Sequence, residues 1–549
     1  MTVPPTGTTI TLSGWILVLV QLGLLIWLAW WAKRFSKSVA DFTVAGRGMG
    51  MWLGLSCGIS EGIGLVSIAN SAQLGFTSGL SYIWLGLAGT LLISIPLFGI
   101  LGLGIERYRA TKVQTLPQYY EMRYSRGVRI FAGVALGIGG VLNMAIFPIV
   151  ESNFLVTFLG LPATYDILGV AVRSYSVVLF ILLALALLFT LFGGMVTVLL
   201  TEYVQSIIMF VSLGIISWFL ISRAGIGNMT RSMEAALGPA AFNPLSSGGG
   251  IGLIFVISYM LGSIIHRMAF PPALQRMSAA ESPKVVRRMY LLSVIFGQGR
   301  SMTLVVWGIA ALALMGAAIP AGVSKELYTQ VVAAEVIRTS APALICAIAL
   351  AGFIFASIST NDTYLLSWSS VITNDIICVM RKKPLPAKQH IRLLQLVSAA
   401  IAVFIFFWGI YYTQTTSILQ YMYLTGAVFG GCGLITWFGL YWRRASSAGA
   451  WMCLMLAVAL PVGWILFSQH FGYLLERNAL VQEYITNDNV LLLATLLPAF
   501  VLVLVSLLSN KPTRYVDYGA RLKEIKAEEM RAQALAEQKN GTHEREQKA

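Results

Sequence analysis

Residues 356–375 read ASISTNDTYLLSWSSVITND and follow ICAIALAGFIF, a run without a single charge. Ser359, Thr363, Ser367 and Ser370 recur at i, i+4, i+8 and i+11, which sets them on one face of a helix, with Thr360 and Asp362 flanking one end of the stripe. A lone serine in an apolar helix bonds back to its own backbone or to a neighbouring helix. A stripe of hydroxyls with an acid at one end is more than packing requires. Hydroxyl and carbonyl oxygens suit a small hard cation, and an interrupted membrane helix releases carbonyls to complete its shell. This face is expected to form half of a sodium site, with opened backbone around Glu61 supplying the other half.

Two segments carry the signs of such an interruption. MWLGLSCGISEGIGLVSIANSAQLG (51–75) surrounds Glu61 with Gly54, Gly58, Gly62 and Gly64, and GLIFVISYMLGSIIHRMAFPPALQ (252–275) places His266 and Arg267 just ahead of Pro271 and Pro272. Glycine weakens a helix and proline removes a backbone donor. Broken backbone at membrane depth is tolerated only where protein covers it or it lines a cavity. The two segments lie five apolar spans apart, the pattern of an inverted repeat with its site at the midplane.

The elements that must position these residues are membrane helices. The chain of 549 residues is 57% hydrophobic and 11% charged, against roughly 25% charged in soluble proteins. Continuous apolar runs, each long enough to cross ~30 Å of hydrocarbon, exclude a β-barrel, whose strands alternate. They number about thirteen by the ~20-residue criterion, which predicts an all-α polytopic membrane protein. The first run, 12–32, is expected to be retained: no positive residue precedes it and it has no cleavage site. The net charge of +15 is concentrated in alternate short loops, among them Lys33, Arg34 and Lys37; Arg107, Arg109, Lys112 and Arg123; Arg276, Lys284, Arg287 and Arg288; and Arg443 and Arg444. That is the bias of cytoplasmic loops, not a nucleic-acid surface. It sets the N-terminus outside and the C-terminus in the cytoplasm of a cell-membrane protein. The five cysteines show no paired spacing, so neither disulfides nor zinc is expected. The glycines of GVALGIGG (133–140) point to close helix packing rather than to a dinucleotide site. The charged stretch 511–549 is expected to be a solvated cytoplasmic helix fading into disorder, or a partner-docking segment.

DFTVAGRGMGMW (41–52), TLPQYYEMRYS (115–125), GGMVTVLLTEYVQ (193–205), PPALQRMSAAES (271–282), SISTNDTYLLSWSSVITNDI (357–376) and GLYWRRASSAGA (439–450) together resemble the sodium/solute symporters, in that family's order and over nearly the whole apolar region. The resemblance implies a LeuT-type five-plus-five inverted repeat with one extra helix before and two after. The corresponding divisions are 1–45, the repeats 46–223 and 224–445, the final helices 446–510 and the tail 511–549. It implies a common sodium site built from the carbonyls of Ile59, Gly62 and Ala356 and the hydroxyls of Ser359 and Thr360. Some members hold a second ion at positions that are here Glu202, Asp362 and Thr363, with glutamate in place of the more usual aspartate. Solute binding between the first, third and sixth core helices falls on Glu61, Ser67 and Asn70; Asn143 and Phe147; and His266, Arg267 and Phe270. Pro148 and Glu151 depart from the small or amide residues usual on the third core helix, so sugar specificity does not carry over.

The activity implied is sodium-coupled symport of a small polar solute, with no cofactor beyond Na+, in a monomer or weak homo-oligomer. Arg267 and Arg300 either meet a solute carboxylate bidentately, favouring an organic acid or an amino-acid-like zwitterion, or pair internally with Glu61, Glu151, Glu202 or Asp362. His266 either lines the pocket or is satisfied by a helix carbonyl. Proton coupling through Glu61 and a membrane sensor retaining the fold are the alternatives. With four histidines, no HExxH and no serine–histidine pairing, an enzyme is not indicated.

Overall fold

The computed structural model describes residues 10–60, 64–167, 169–245, 253–381, 383–412, 418–475, 487–509 and 514–528. Helix α1 (Leu12–Ala32) is followed by the short α2 (Val39–Val44), the pair α3 (Met51–Ser60) and α4 (Leu65–Ser78), and α5 (Ser81–Gly89). A π-helical segment with Pro96 inside it, Thr90–Ile100, continues α5. Next come α6 (Ile105–Ala110), α7 (Leu116–Arg123) and the long α8 (Arg126–Leu159). A small antiparallel hairpin, β1 (Thr164–Ile167) and β2 (Val170–Arg173), is an exception to the all-helical expectation. Helices α9 (Ser174–Gly193), α10 (Met195–Ala224) and α11 (Ile226–Leu237) complete the first half. The second contains α12 (Leu253–Arg267), α13 (Pro271–Ala279), α14 (Pro283–Met315), α15 (Lys325–Ser340), α16 (Ala343–Val371), α17 (Cys378–Met380), α18 (Ala387–Tyr411) and α19 (Ile418–Tyr441). Helices α20 (Ser447–Leu475) and α21 (Asn487–Leu508) follow, and a last helix, α22, spans 518–528.

Among the described residues, nine helices are long and apolar enough to cross a bilayer, and the α3–α4 pair, bent by 49°, makes a tenth. The other three expected spans fall on α12–α13, α19 and α21, outside that set: α12 has 15 residues before its break, and the apolar stretches in α19 and α21 are the shorter Val428–Tyr441 and Leu492–Leu508.

Both expected interruptions are present. Helix α3 stops at Ser60 and α4 resumes at Leu65. Helix α12 stops at Arg267 and α13 begins on Pro271 and Pro272, which occupy its first turn, where a missing N–H costs nothing. The residue before a proline is driven out of the helical region, and Phe270 is extended (φ −91°, ψ 105°). That fixes the break at 268–270.

Helix α16 sits at the centre, packed by α8, α9, α10, α13 and α18, and every residue from Phe355 to Val371 is buried. The glycines of α8 serve close packing: a Cβ on Gly140 would come within 2.4 Å of the Trp368 ring, and one on Gly137 would press Ile372 at 3.2 Å.

The described part of the tail touches the bundle through a few side chains while most of its residues stay exposed or half-exposed. Tyr518 is fully buried against Tyr119, ring centroids 6.1 Å apart. Lys526 Nζ reaches Glu106 Oε2 at 2.6 Å and Arg443 meets Asp517 at 3.2 Å. Alternating charges on a short helix signal solvent exposure; the aromatic that anchors this one precedes them.

Candidate cation and solute site

The break in the first pair opens onto α16. Gly64 caps α4 in an extended conformation (φ −68°, ψ 151°), and a Cβ there would lie 2.6 Å from Thr360 Oγ1. Only glycine lets the broken backbone approach that hydroxyl so closely. Thr360 Oγ1 donates to the Ala356 carbonyl at 3.0 Å, one turn back on α16. Ser359 and Thr360 are 2% and 6% exposed, so both face protein rather than lipid. Ile59, half-buried, stands at the end of α3 beside the break. Glu61 and Gly62 lie outside the described residues. What the structure brings together is therefore a set of buried alcohol oxygens from α16 and the restart of a broken helix.

A second cluster adjoins it. Glu202 on α10 is fully buried and accepts from Ser359 Oγ at 3.3 Å and Thr363 Oγ1 at 3.1 Å. Its partner is Arg276, whose Nη2 donates to Glu202 Oε1 and to Thr363 Oγ1 at 2.9 Å. Arg276 is 3% exposed, which corrects its assignment to a basic loop. Helix α13 runs to Ala279 before the chain leaves for the loop, so the arginine lies inside the bundle. The neighbouring Gln275 accepts from Ser367 Oγ at 2.6 Å and donates to the Thr43 carbonyl at 2.6 Å. The hydroxyl stripe thus meets a polar seam, with Gln275 and Arg276 from α13 and Glu202 from α10. Asp362 is fully buried and accepts from Thr363 at 3.3 Å.

The third group is aromatic. Phe147 on α8 packs edge-on against Tyr364, centroids 5.0 Å apart. Phe270, in the second break, meets Tyr364 at 5.6 Å, Phe429 at 5.6 Å and Trp368 at 6.1 Å. His266 stacks on Phe270 at 5.2 Å. Asn143 donates to Thr425 Oγ1 at 2.8 Å, which ties α8 to α19. Asn143, Phe147, His266 and Phe270 therefore converge between the same helices, joined by Tyr364, Trp368 and Phe429, three rings that reasoning from sequence did not select. The signal for two of them was present: Tyr364 and Trp368 stand at i and i+4 within the polar run itself. Ser67 and Asn70 are half-buried on α4.

Arg267 points elsewhere. Its guanidinium lies over the Tyr290 ring, 4.7 Å from the centroid, and lines a cavity of about 340 Å3 together with Cys57, Tyr259, Ser263 and Arg276. It makes no ion pair with Glu151, Glu202 or Asp362. The side chain of Arg300 lies outside the described residues.

The sequence profile of the sodium:solute symporter family matches residues 42–457. The chain belongs to the sodium:solute symporter family. Among its relatives, the osmoregulated proline transporter OpuE of Bacillus subtilis (strain 168) is 23% identical over 466 residues, 82% of this chain and 88% of that one. The sodium/proline symporter of Staphylococcus aureus is 22% identical over 516 residues, 92% and 94% of the two chains. The fold is that of the substrate-bound, outward-open Na+-coupled sialic acid symporter, with a TM-score of 0.74 at 16% identity over 92% of this chain and 98% of the other. Mhp1, a nucleobase-cation-symport-1 family transporter, aligns with a TM-score of 0.52 at 13% identity over 89% and 99%. The symporter is thus a multi-pass membrane protein that couples sodium to the movement of a small solute, and it is a transporter rather than an enzyme.

Proposed function

We propose that this symporter imports a small carboxylate-bearing solute, an organic acid or an amino-acid-like zwitterion, across the plasma membrane with sodium bound between the first break and α16. The observation that carries this reading is the approach of Gly64 to Thr360, since it sets a free-ended helix against buried hydroxyls in the membrane interior. Ile59, Gly62, Ala356, Ser359 and Thr360 hold the ion by their oxygens. Glu202, Asp362 and Thr363 support that cradle: an arginine is always charged, and Arg276 supplies at Glu202 the positive charge that a second ion would bring.

The solute lies against Phe147, His266, Phe270 and Asn143, with Ser67 and Asn70 of α4, and Glu61 from outside the described residues, as its further contacts. Such a wall suits a compact molecule with an apolar side. Arg267 offers a full positive charge at the end of α12, in a cavity lined also by Arg276 and by Met289, Tyr290 and Ser293 of α14. Relatives named as proline carriers support a zwitterionic cargo. Sodium and solute favour the same arrangement of the helices, so each raises the affinity for the other.

The test is uptake of radiolabelled proline and a panel of small carboxylates into proteoliposomes, with and without an inward sodium gradient. Accumulation of at least one carboxylate that depends on the gradient and is lost in Arg267→Gln is expected. Gradient-driven accumulation only of solutes that lack a carboxylate would overturn the assignment of the cargo.

A further inference from the structure

Glu151 takes no part in the sites above, yet it is fully buried in the bundle, on the side of α8 that meets α16. Ser357 Oγ donates to its Oε2 at 2.7 Å, and Asn361 Nδ2 donates to the same oxygen at 2.7 Å. Asn361 Nδ2 is further held by the Ser357 carbonyl at 2.9 Å, which fixes the amide with its oxygen turned the other way. Two buried oxygens of this cluster, Glu151 Oε1 and Asn361 Oδ1, accept from no donor among the described residues. Both donors that serve Glu151 are neutral.

Among the described residues, the surrounding elements supply no compensating charge to Glu151. Helices α4, α9 and α19, which pack on α8, contain no charged residue. On α15, Glu335 is paired with Arg338 at 2.7 Å, while Lys325 and Glu326 begin the helix. Asp375 and Glu121 are both held by Arg129, at 2.8 and 2.5 Å, and Arg123 on α7 is bound to the Gly439 carbonyl. Lys388, His390 and Arg392 lie in the first turns of α18, where His390 meets Asn374 rather than Glu151. Asp362, on α16 itself, is another acid. An ionised carboxylate at this depth without a counter-charge is expensive, and two unserved buried oxygens in one cluster call for a positive centre.

We propose that Glu151, Ser357 and Asn361 form a cation site of their own, taking a single monovalent positive charge, Na+ or a proton, at Glu151 Oε1 and Asn361 Oδ1. All its ligands are oxygens, as a hard cation requires; a proton on the carboxyl is the same charge held covalently, with the amide oxygen as acceptor. Ser357 and Asn361 bracket Ser359 and Thr360 on α16, so the charge state of Glu151 acts on the sodium cradle through one rigid helix.

The inference rests on the symporter reading, and binding measurements separate the two. Equilibrium 22Na+ binding to the purified full chain at pH 6 and pH 8 compares wild type with Glu151→Gln, which keeps shape and hydrogen bonding but cannot ionise. Two ions per wild-type chain and one in the variant place sodium at Glu151. One ion in both, with wild-type affinity at least about 5-fold weaker at pH 6 than at pH 8 and the variant indifferent to pH, places a proton there. Equal stoichiometry with equal pH dependence overturns the site. Should neither protein bind sodium, the symporter reading fails, and acid-minus-alkaline infrared difference spectra decide separately: a protonated-carboxyl band lost in Glu151→Gln retains the proton site, and its absence in wild type removes it. Ser357→Ala, which leaves the charge in place, guards against misfolding of the first variant. It is expected to shift the same titration or weaken the same ion, and no change in either counts against the site.

Discussion

Two carboxylates press on α16 from different helices, and the chain handles them in opposite ways. Glu202, on α10, meets a guanidinium from α13. Glu151, on α8, meets a hydroxyl and an amide and no cation. Both are fully buried, so solvent cannot account for the difference. The first charge is compensated within the chain, permanently, because an arginine does not give up its proton. That arrangement suits a structural post: Glu202 holds Ser359 and Thr363 at fixed distances beside the cradle. The second charge is left for something that comes and goes. On the proposals above, Glu202 keeps the cradle's geometry when the ion leaves, and the occupancy of Glu151 reports that a cation has arrived.

The largest effect that would test this contrast comes from the compensated pair. Arg276→Met leaves Glu202 buried beside no positive charge, and breaking a buried pair from one side costs about 3–5 kcal/mol. Thermal unfolding of the purified protein should show that loss, together with a fall in folded yield. The double variant Arg276→Met/Glu202→Gln, with neither charge, should recover more than half of it. If the single variant proves no worse than the double, the pair is not a structural post and the contrast with Glu151 collapses.

Next in size is the cradle itself. Ser359→Ala with Thr360→Ala removes two alcohol ligands but no charge. The sodium concentration for half-maximal uptake should rise tenfold or more, about 1.4 kcal/mol or above in binding. Unchanged sodium dependence would remove the cradle from α16.

How far these residues were legible beforehand follows from what kind of signal each one emits. The breaks were legible because glycine and proline act on their own backbone: Pro271 and Pro272 constrain Phe270 wherever the helix lies. The hydroxyl stripe was legible because helical period is local. Arg276 was misplaced because its partner stands on α10, 74 residues away, and a basic residue just after a proline pair looks like the start of a cytoplasmic loop. Glu151 stood out as a departure in type and as one of four acids that could pair with Arg267 or Arg300. Nothing in its neighbourhood of the chain foretold that Ser357 and Asn361 would face it, since both lie on the flank of a stripe that pointed attention elsewhere. Tyr364, Trp368 and Phe429 were missed for a related reason. Tyr364 and Trp368 share the cation helix, but the rings they meet come from α8, the second break and α19, and no local period joins those.

A smaller change sharpens the role of close approach. Gly64→Ala adds one methyl where Thr360 Oγ1 stands 2.6 Å away and its Cγ2 3.3 Å away. Both backbone angles of Gly64 suit alanine, so the cost is steric and falls on the hydroxyl. Sodium affinity measured by 22Na+ binding should fall several-fold while the melting temperature moves little. Adding Thr360→Ser, which deletes Cγ2 and frees the hydroxyl to turn, should return part of the lost affinity. A Gly64→Ala protein that binds sodium as wild type does would show that the restart of α4 and the hydroxyl need not meet.

The smallest effect belongs to a third buried acid, and it marks where the contrast between compensated and open carboxylates stops mattering. Glu106 is 3% exposed and has two basic neighbours, Lys526 at 2.6 Å and Arg287 at 3.5 Å. The lysine side chain is 37% exposed, so water screens its contribution, and exposed pairs of this kind add only about 0–1 kcal/mol. Lys526→Ala should therefore shift thermal stability hardly at all, because Arg287 remains to meet the carboxylate. Tyr518→Ala should shift it more, since that ring is fully buried and its loss opens a cavity under the tail. Measured side by side, the two variants separate charge from burial as the cause of tail docking. If Lys526→Ala were the more damaging, a half-exposed pair would be worth as much here as a buried one, and the ranking of all three acids by their surroundings would have to be given up.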